Sequence, residues 1–140
     1  MCCVGVADTQ NVNHYNWIIG YMIRAHNEYL FIEYIKDGYF EIDNDGRMWR
    51  LAIRKGRNNF AKIHRRKFGY KDGRGYIQVA ISKKGKWYNC LAHRVVWIYF
   101  NGEIPDGLEI NHKDGIKINN RLENLELVTR SENHKHAFRI

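Results

Sequence analysis

The sequence predicts an α+β fold, with a helical N-terminal segment, a small antiparallel β-sheet and a C-terminal strand–loop–strand–helix unit. Three observations carry this. Between Trp17 and Ile35 the apolar residues Ile18, Tyr21, Met22, Ala25, Tyr29, Ile32 and Ile35 recur at the three-and-four spacing of a helix. Further on, short β-like stretches flank the turn signals Asn44-Asp45-Gly46 and Lys83-Lys84-Gly85-Lys86, as in hairpins. After Gly107, two short apolar stretches enclose a loop rich in Asn and lead into a polar helix. At 140 residues and 44% hydrophobic, the chain has room for one domain with a real core, or one domain and a small appendage.

Each element has its own signal. Residues 1–13 read as a lead-in. The helical stretch breaks near His26-Asn27 or before Asp37-Gly38. Tyr39 to Asp43 and Arg47 to Ile53 form the first hairpin. Lys55 to Gly75 is polar and punctuated by Gly, so a long basic loop is expected. Tyr76 to Ser82 alternates Ile77, Val79 and Ile81 with more polar positions, and Trp87 to Ala92 returns as its partner strand. His93 to Asn101 is a short helix with Val96, Trp97 and Phe100 on one face. Glu103 to Gly107 is a turn holding the only proline. Leu108 to Asn111 and Leu125 to Thr129 are strands. Ser131 to Arg139 is a closing helix, with Thr129 or Ser131 as N-cap.

Charge is distributed unevenly. The chain carries +8 overall, yet residues 47–100 hold fifteen Lys and Arg against Asp72 alone. The flanking segments are acidic or near neutral. So one-sided a block implies a polyanionic partner, and nucleic acid fits better than a membrane surface because no long amphipathic helix accompanies it. The candidates for phosphate contact are Arg54, Lys55, Arg57, Lys62, Arg65, Arg66, Lys67, Lys83, Lys84, Lys86 and Arg94. No apolar run approaches the ~18 residues of a membrane span, and the start lacks the basic residues of a signal peptide. Three cysteines without CxxC spacing exclude a disulfide framework and a zinc ribbon, and fit a reducing cytoplasm.

The chemistry concentrates after residue 107. Hydrolysis of a phosphodiester needs a base near neutral pH, which His supplies. It also needs an offset for the charge gathering on the phosphate, which one divalent cation supplies. Hard cations take oxygen donors, amide carbonyls included. Folded as strand, loop, strand and helix, the segment brings Asn111, His112, Asn124 and Asn133 towards one point. Asn111 and Asn133 offer amide oxygens, and Asn124 offers an acceptor for one imidazole N–H. Asn119 and Asn120 read as turn formers, His93 as structural, and His134 and His136 as exposed.

These residues resemble the HNH (His-Me finger) endonucleases in their phage homing branch. The resemblance lies in His93-Arg94-Val-Val-Trp97, Asn101-Gly-Glu-Ile-Pro105, Ile110-Asn-His112-Lys-Asp-Gly115, Asn119-Asn-Arg-Leu-Glu-Asn124-Leu and Val128-Thr-Arg-Ser-Glu-Asn133. It spans about residues 76–138 with the spacing intact. It implies a ββα-metal core at 76–140, preceded at 1–75 by a DNA-recognition arm made of the helical segment, the first hairpin and the basic loop. Tyr39 to Trp49 is similar to a small module found ahead of such cores in phage proteins. The resemblance further implies His112 as general base, Asn124 as the residue orienting it, and Asn111 and Asn133 as ligands of one Mg²⁺ or Mn²⁺. The implied partner is double-stranded DNA in a bacterial or phage-infected cell, with a homodimer as one route to a double-strand cut. No membrane or small-molecule cofactor is implied. Because the chain ends at Ile140, no helix-turn-helix tail is expected to follow.

One position departs from the family. The residue before the base is commonly Asp and here is Asn111, an oxygen donor without charge. Weaker metal affinity is expected, with Asp114 as a partial compensation. A non-catalytic DNA-binding protein with a degenerate site is the alternative. An RNA-binding role has no recognisable motif in the sequence.

Overall fold

Helix α1 (His26–Lys36) stops where the sequence breaks it. Gly38 takes φ +78°, its N–H returns to the Ile35 carbonyl, and the Tyr39 N–H returns to Tyr34, a Schellman end that only glycine adopts without strain. The computed structural model describes residues 26–55 and 61–139. The lead-in, the apolar stretch 17–25 and Arg57 lie outside the described residues.

Strands β1 (Phe40–Ile42), β2 (Met48–Lys55) and β3 (Ala61–Phe68) form an antiparallel sheet in that order. A second sheet orders β4 (Tyr70–Lys71), β5 (Ile77–Lys83) and β6 (Lys86–Leu91). Its β5–β6 turn has positive φ at both Lys84 and Gly85, the hairpin geometry that matches strand twist. Helix α2 (Ala92–Asn101) follows. Then β7 (Leu108–His112) and β8 (Leu125–Thr129) pair as a two-stranded ladder, and α3 (Arg130–Arg139) closes the described chain. Thr129 is the N-cap of α3. Its hydroxyl faces the Glu132 N–H while the Glu132 carboxylate accepts the Thr129 N–H, a reciprocal capping box.

The expected basic loop over 55–75 is corrected: most of it is strand. Ala61 to Phe68 pairs with β2 along eight residues. Period two is hidden in its sequence because residues 62–67 are exposed, so only Phe68 reports a buried face. The ladder to β2 decides the conformation, not an apolar stripe.

A single apolar core draws on residues either side of Gly75. Phe31, Ile32, Phe40 and Met48 meet Val79, Ile81, Val95 and Ile98, and the Phe40 and Phe68 rings stack at 4.5 Å. A smaller cluster of Val96, Ile110 and Leu125 seats the β7–β8 ladder against α2. An ion pair ties the helices, with Arg94 Nε 2.6 Å from the largely buried Glu28. Arg94, expected on phosphate, is engaged here as a strap through its Nε. A buried carboxylate needs a counter-ion, and this guanidinium supplies it.

Candidate functional site

His112 ends β7, and its imidazole is buried on the α2 side of the ladder. Its ring lies 5.0 Å edge-on from His93 and 6.0 Å from Tyr76. Its Nε2 is 3.0 Å from Asn120 Oδ1. An amide oxygen only accepts, so the proton sits on Nε2 and Nδ1 keeps the lone pair. The contact of one ring nitrogen thus sets which nitrogen is the acceptor.

The contact expected of Asn124 therefore belongs to Asn120, and the Asn124 expectation is corrected. Asn124 instead pins the loop that follows the histidine. Its Nδ2 donates to Asp114 Oδ1 and to the Asn119 carbonyl, both at 2.9 Å, and its Oδ1 accepts from the Asp114 N–H at 3.2 Å. The Asn124 main-chain carbonyl takes the Lys113 N–H. All these bonds are local, and among the described residues its side chain makes none to the imidazole. Asn120, read in the sequence as a turn former, is 3% exposed. A turn residue that deep needs a partner for its side chain, and the imidazole is that partner.

Asp114 is committed to the same loop. Its carboxylate accepts from Asn119 Nδ2, the Ile116 N–H and Asn124 Nδ2. The Asn119 bond leads the effects that hold its pKa below the ordinary carboxylate value. It is engaged as a loop staple.

The other face of β7 meets α3. Asn111 stands opposite Glu126 in the ladder and donates Nδ2–H to Glu126 Oε1 at 2.9 Å. From α3, Asn133 donates Nδ2–H to Glu109 Oε2, also at 2.9 Å. Glu109 and Asn111 are two residues apart, so they share a strand face. Both amides have their N–H side occupied, which leaves their oxygens as the available donors. Among the described residues, no group of three or more His, Cys, Asp or Glu side chains converges as a cation cage. The donor set fits a hard cation that keeps waters and takes further oxygens from a substrate. His136 Nε2 sits 3.1 Å from the Lys113 carbonyl, fastening α3 to the loop.

Two neighbouring turns press on this loop. Gly46, at φ +69° in the β1–β2 turn, lies so close to the Asn120 carbonyl that a Cβ would overlap it. Beside it Asp45 Oδ1 pairs with Arg121. From the β4–β5 turn, the Arg74 carbonyl accepts from Lys117 Nζ, which also lies 4.7 Å from the Tyr76 ring centre. His93 is 5% exposed, and its Nδ1 has no partner among the described residues. Burial first, then the neighbouring His112 and Arg94, pull its pKa down to about 3.

The basic candidates divide by position. Lys62, Arg66 and Lys67 are exposed along β3. Arg54 pairs with Lys62, and Lys55 with Ala61, in strand register. Arg65 is engaged, 2.9 Å from Glu41 and stacked 4.2 Å over Trp49. Lys83, Lys84 and Lys86 ring the exposed β5–β6 turn.

Two strands, an intervening loop and a closing helix around one buried imidazole define a ββα unit. Residues 90–135 match the family model described as HNH endonuclease, so the chain carries an HNH endonuclease core. YosQ, a candidate HNH homing endonuclease from the SPbeta prophage of Bacillus subtilis (strain 168), is 47% identical over 68 residues, or 47% of this chain and 39% of its own length. The DNA endonuclease I-HmuI of Bacillus phage SP01 is 33% identical over 97 residues, or 69% of this chain and 50% of its own. A solved structure, described as DNA binding and cleavage by the HNH homing endonuclease I-HmuI, matches with TM-score 0.52 and 26% identity, covering 73% of this chain and 53% of that one. The chain spans about half the length of these relatives or less.

Proposed function

We propose that the protein is a metal-dependent endonuclease of double-stranded DNA, site-specific in the manner of homing enzymes. The observation that carries this is the His112–Asn120 contact inside a segment matching HNH endonucleases. His112 Nδ1 takes the proton of the attacking water. Asn120 holds the Nε2–H tautomer, and Asn124 keeps the loop that carries Asn120 in place. Asn111 and Asn133 would hold Mg²⁺ or Mn²⁺ through their amide oxygens, and the bound cation would supply an offset for the charge on the phosphate. The exposed cations of the β2–β3 ribbon and the β5–β6 turn hold the duplex through its backbone. One site per chain nicks one strand, and a second copy is required for a concerted double-strand cut.

Supercoiled plasmid incubated with Mg²⁺ or Mn²⁺ is expected to relax with the wild type. With His112→Ala the rate should fall about 10²–10⁴-fold, the usual worth of a general base. Plasmid that stays supercoiled, or a variant that cuts equally well, would sink this reading. Asn111 favours one other reading, DNA binding without cleavage, because a neutral donor replaces a charged one. Cleavage gained only on Asn111→Asp would support it.

A further inference from the structure

We propose that Glu126 and Glu109 are positioning residues of the cation site, each fixing one asparagine amide with its oxygen towards the cation and together supplying the charge that Asn111 lacks. This rests on the assignment of Asn111 and Asn133 as cation ligands.

An amide has a donor end and an acceptor end, and only the oxygen binds a cation. A carboxylate on the Nδ2 side selects one of the two orientations. The same device occurs twice on different elements: Glu126 of β8 on Asn111 of β7, and Glu109 of β7 on Asn133 of α3. Two independent side chains are thus turned the same way by the same chemistry.

The carboxylates carry the second observation. Both are half-buried, and among the described residues neither forms an ion pair. They lie on one face of the ladder as diagonal neighbours, which antiparallel pairing spaces about 7–8 Å apart. Two like charges held so, partly out of water, are unfavourable unless a positive charge lies nearby. A cation on Asn111 and Asn133, one amide away from each carboxylate, supplies it. Asp114 is engaged elsewhere, by three hydrogen bonds that hold it to the loop. The charge removed by having Asn at 111 is therefore returned by its cross-strand partner, one bond further from the cation.

The test is Mn²⁺ binding to the full chain without DNA, read by electron paramagnetic resonance up to millimolar metal. Apo melting temperatures are recorded alongside. Glu126→Gln keeps an oxygen that accepts the Asn111 N–H but drops the charge. It should weaken Mn²⁺ binding about tenfold, the low end for partners of metal ligands, with little change in apo melting. Glu109→Gln should behave alike. In an Asn111→Asp background the cost of Glu126→Gln should fall below about threefold, since the ligand then carries its own charge. Wild-type affinity in both Gln variants, while Asn111→Ala loses Mn²⁺, would overturn this inference alone. An equal cost of Glu126→Gln in both backgrounds would overturn it too. Failure of the wild type to bind Mn²⁺, or full binding by Asn111→Ala, would overturn the ligand assignment and this inference with it.

Discussion

The loop behind His112 and the β2–β3 ribbon handle polar groups in opposite ways. In the loop, Asn119, Asn120, Asn124 and Asp114 satisfy one another and the imidazole, and little is left over. In the ribbon, like charges stand opposite each other, Arg50 across from Arg66 and Arg54 across from Lys62. Directly opposed like charges destabilise a ladder, so the ribbon is better matched to a polyanion than to water. One region is finished on its own, and the other keeps unspent charge. Preorganisation is what a reacting centre needs. Unspent charge is what a backbone-tracking surface needs.

The contrast breaks most readily at Asn120. Asn120→Ala should lower kcat for plasmid nicking about 10²-fold, with KM and the salt dependence of binding unchanged. Equal losses in kcat and affinity would mean that the loop also binds DNA. Asn124→Ala should act first on stability, by about 1–3 kcal/mol, because it removes three part-buried hydrogen bonds. A denaturant melt that matches the wild type would refute the stapling role.

Gly46→Ala, in the turn that leads into β2, tests the contact between the sheet that carries the ribbon and the loop. The left-handed backbone costs about 1–2 kcal/mol for any other residue. Overlap with the Asn120 carbonyl adds to it, so on the order of 3 kcal/mol is expected in a melt, accompanied by a fall in kcat. If stability falls while kcat holds, the turn does not bear on His112.

Acid sensitivity should come from the finished region. His93 is neutral in the fold, with its pKa near 3 against 6.5 for the free side chain. Between those values the unfolded chain takes up a proton that the folded chain refuses. Stability is therefore intact above pH 6.5 and is lost as pH falls towards 3. His93→Gln should flatten that slope in melting temperatures taken from about pH 7 to pH 4, and an unchanged slope would assign the acid loss to other groups. The smallest effect belongs to the ribbon. Lys62→Ala, Arg66→Ala and Lys67→Ala should each reduce the slope of log affinity against log salt by about 0.9 for every phosphate the side chain neutralises, with kcat untouched. A ribbon cation whose removal leaves the slope unchanged does not touch the DNA backbone.

Legibility followed the same divide. The ladder, α2 and α3 were readable because Ile110, Leu125 and Val96 form a compact apolar cluster and the Asn-His and N-cap signals are local. The β3 strand was not, because its cations hide the alternation that its partner strand enforces. Asn120 was not, because a buried amide and a turn amide are the same letter. Only the depth of the loop tells them apart. Glu109 and Glu126 were overlooked for a like reason: their meaning lies in register across the ladder, which spacing along the chain does not encode.

The seat of Gly46 against Asn120 also bears on how such proteins can be recombined. The first hairpin meets the loop behind the imidazole through the Gly46–Asn120 main-chain contact and the Asp45–Arg121 pair, so the hairpin is not a detachable attachment. A chimera that exchanges it must carry residues 43–46 and 119–121 together, as a matched lock.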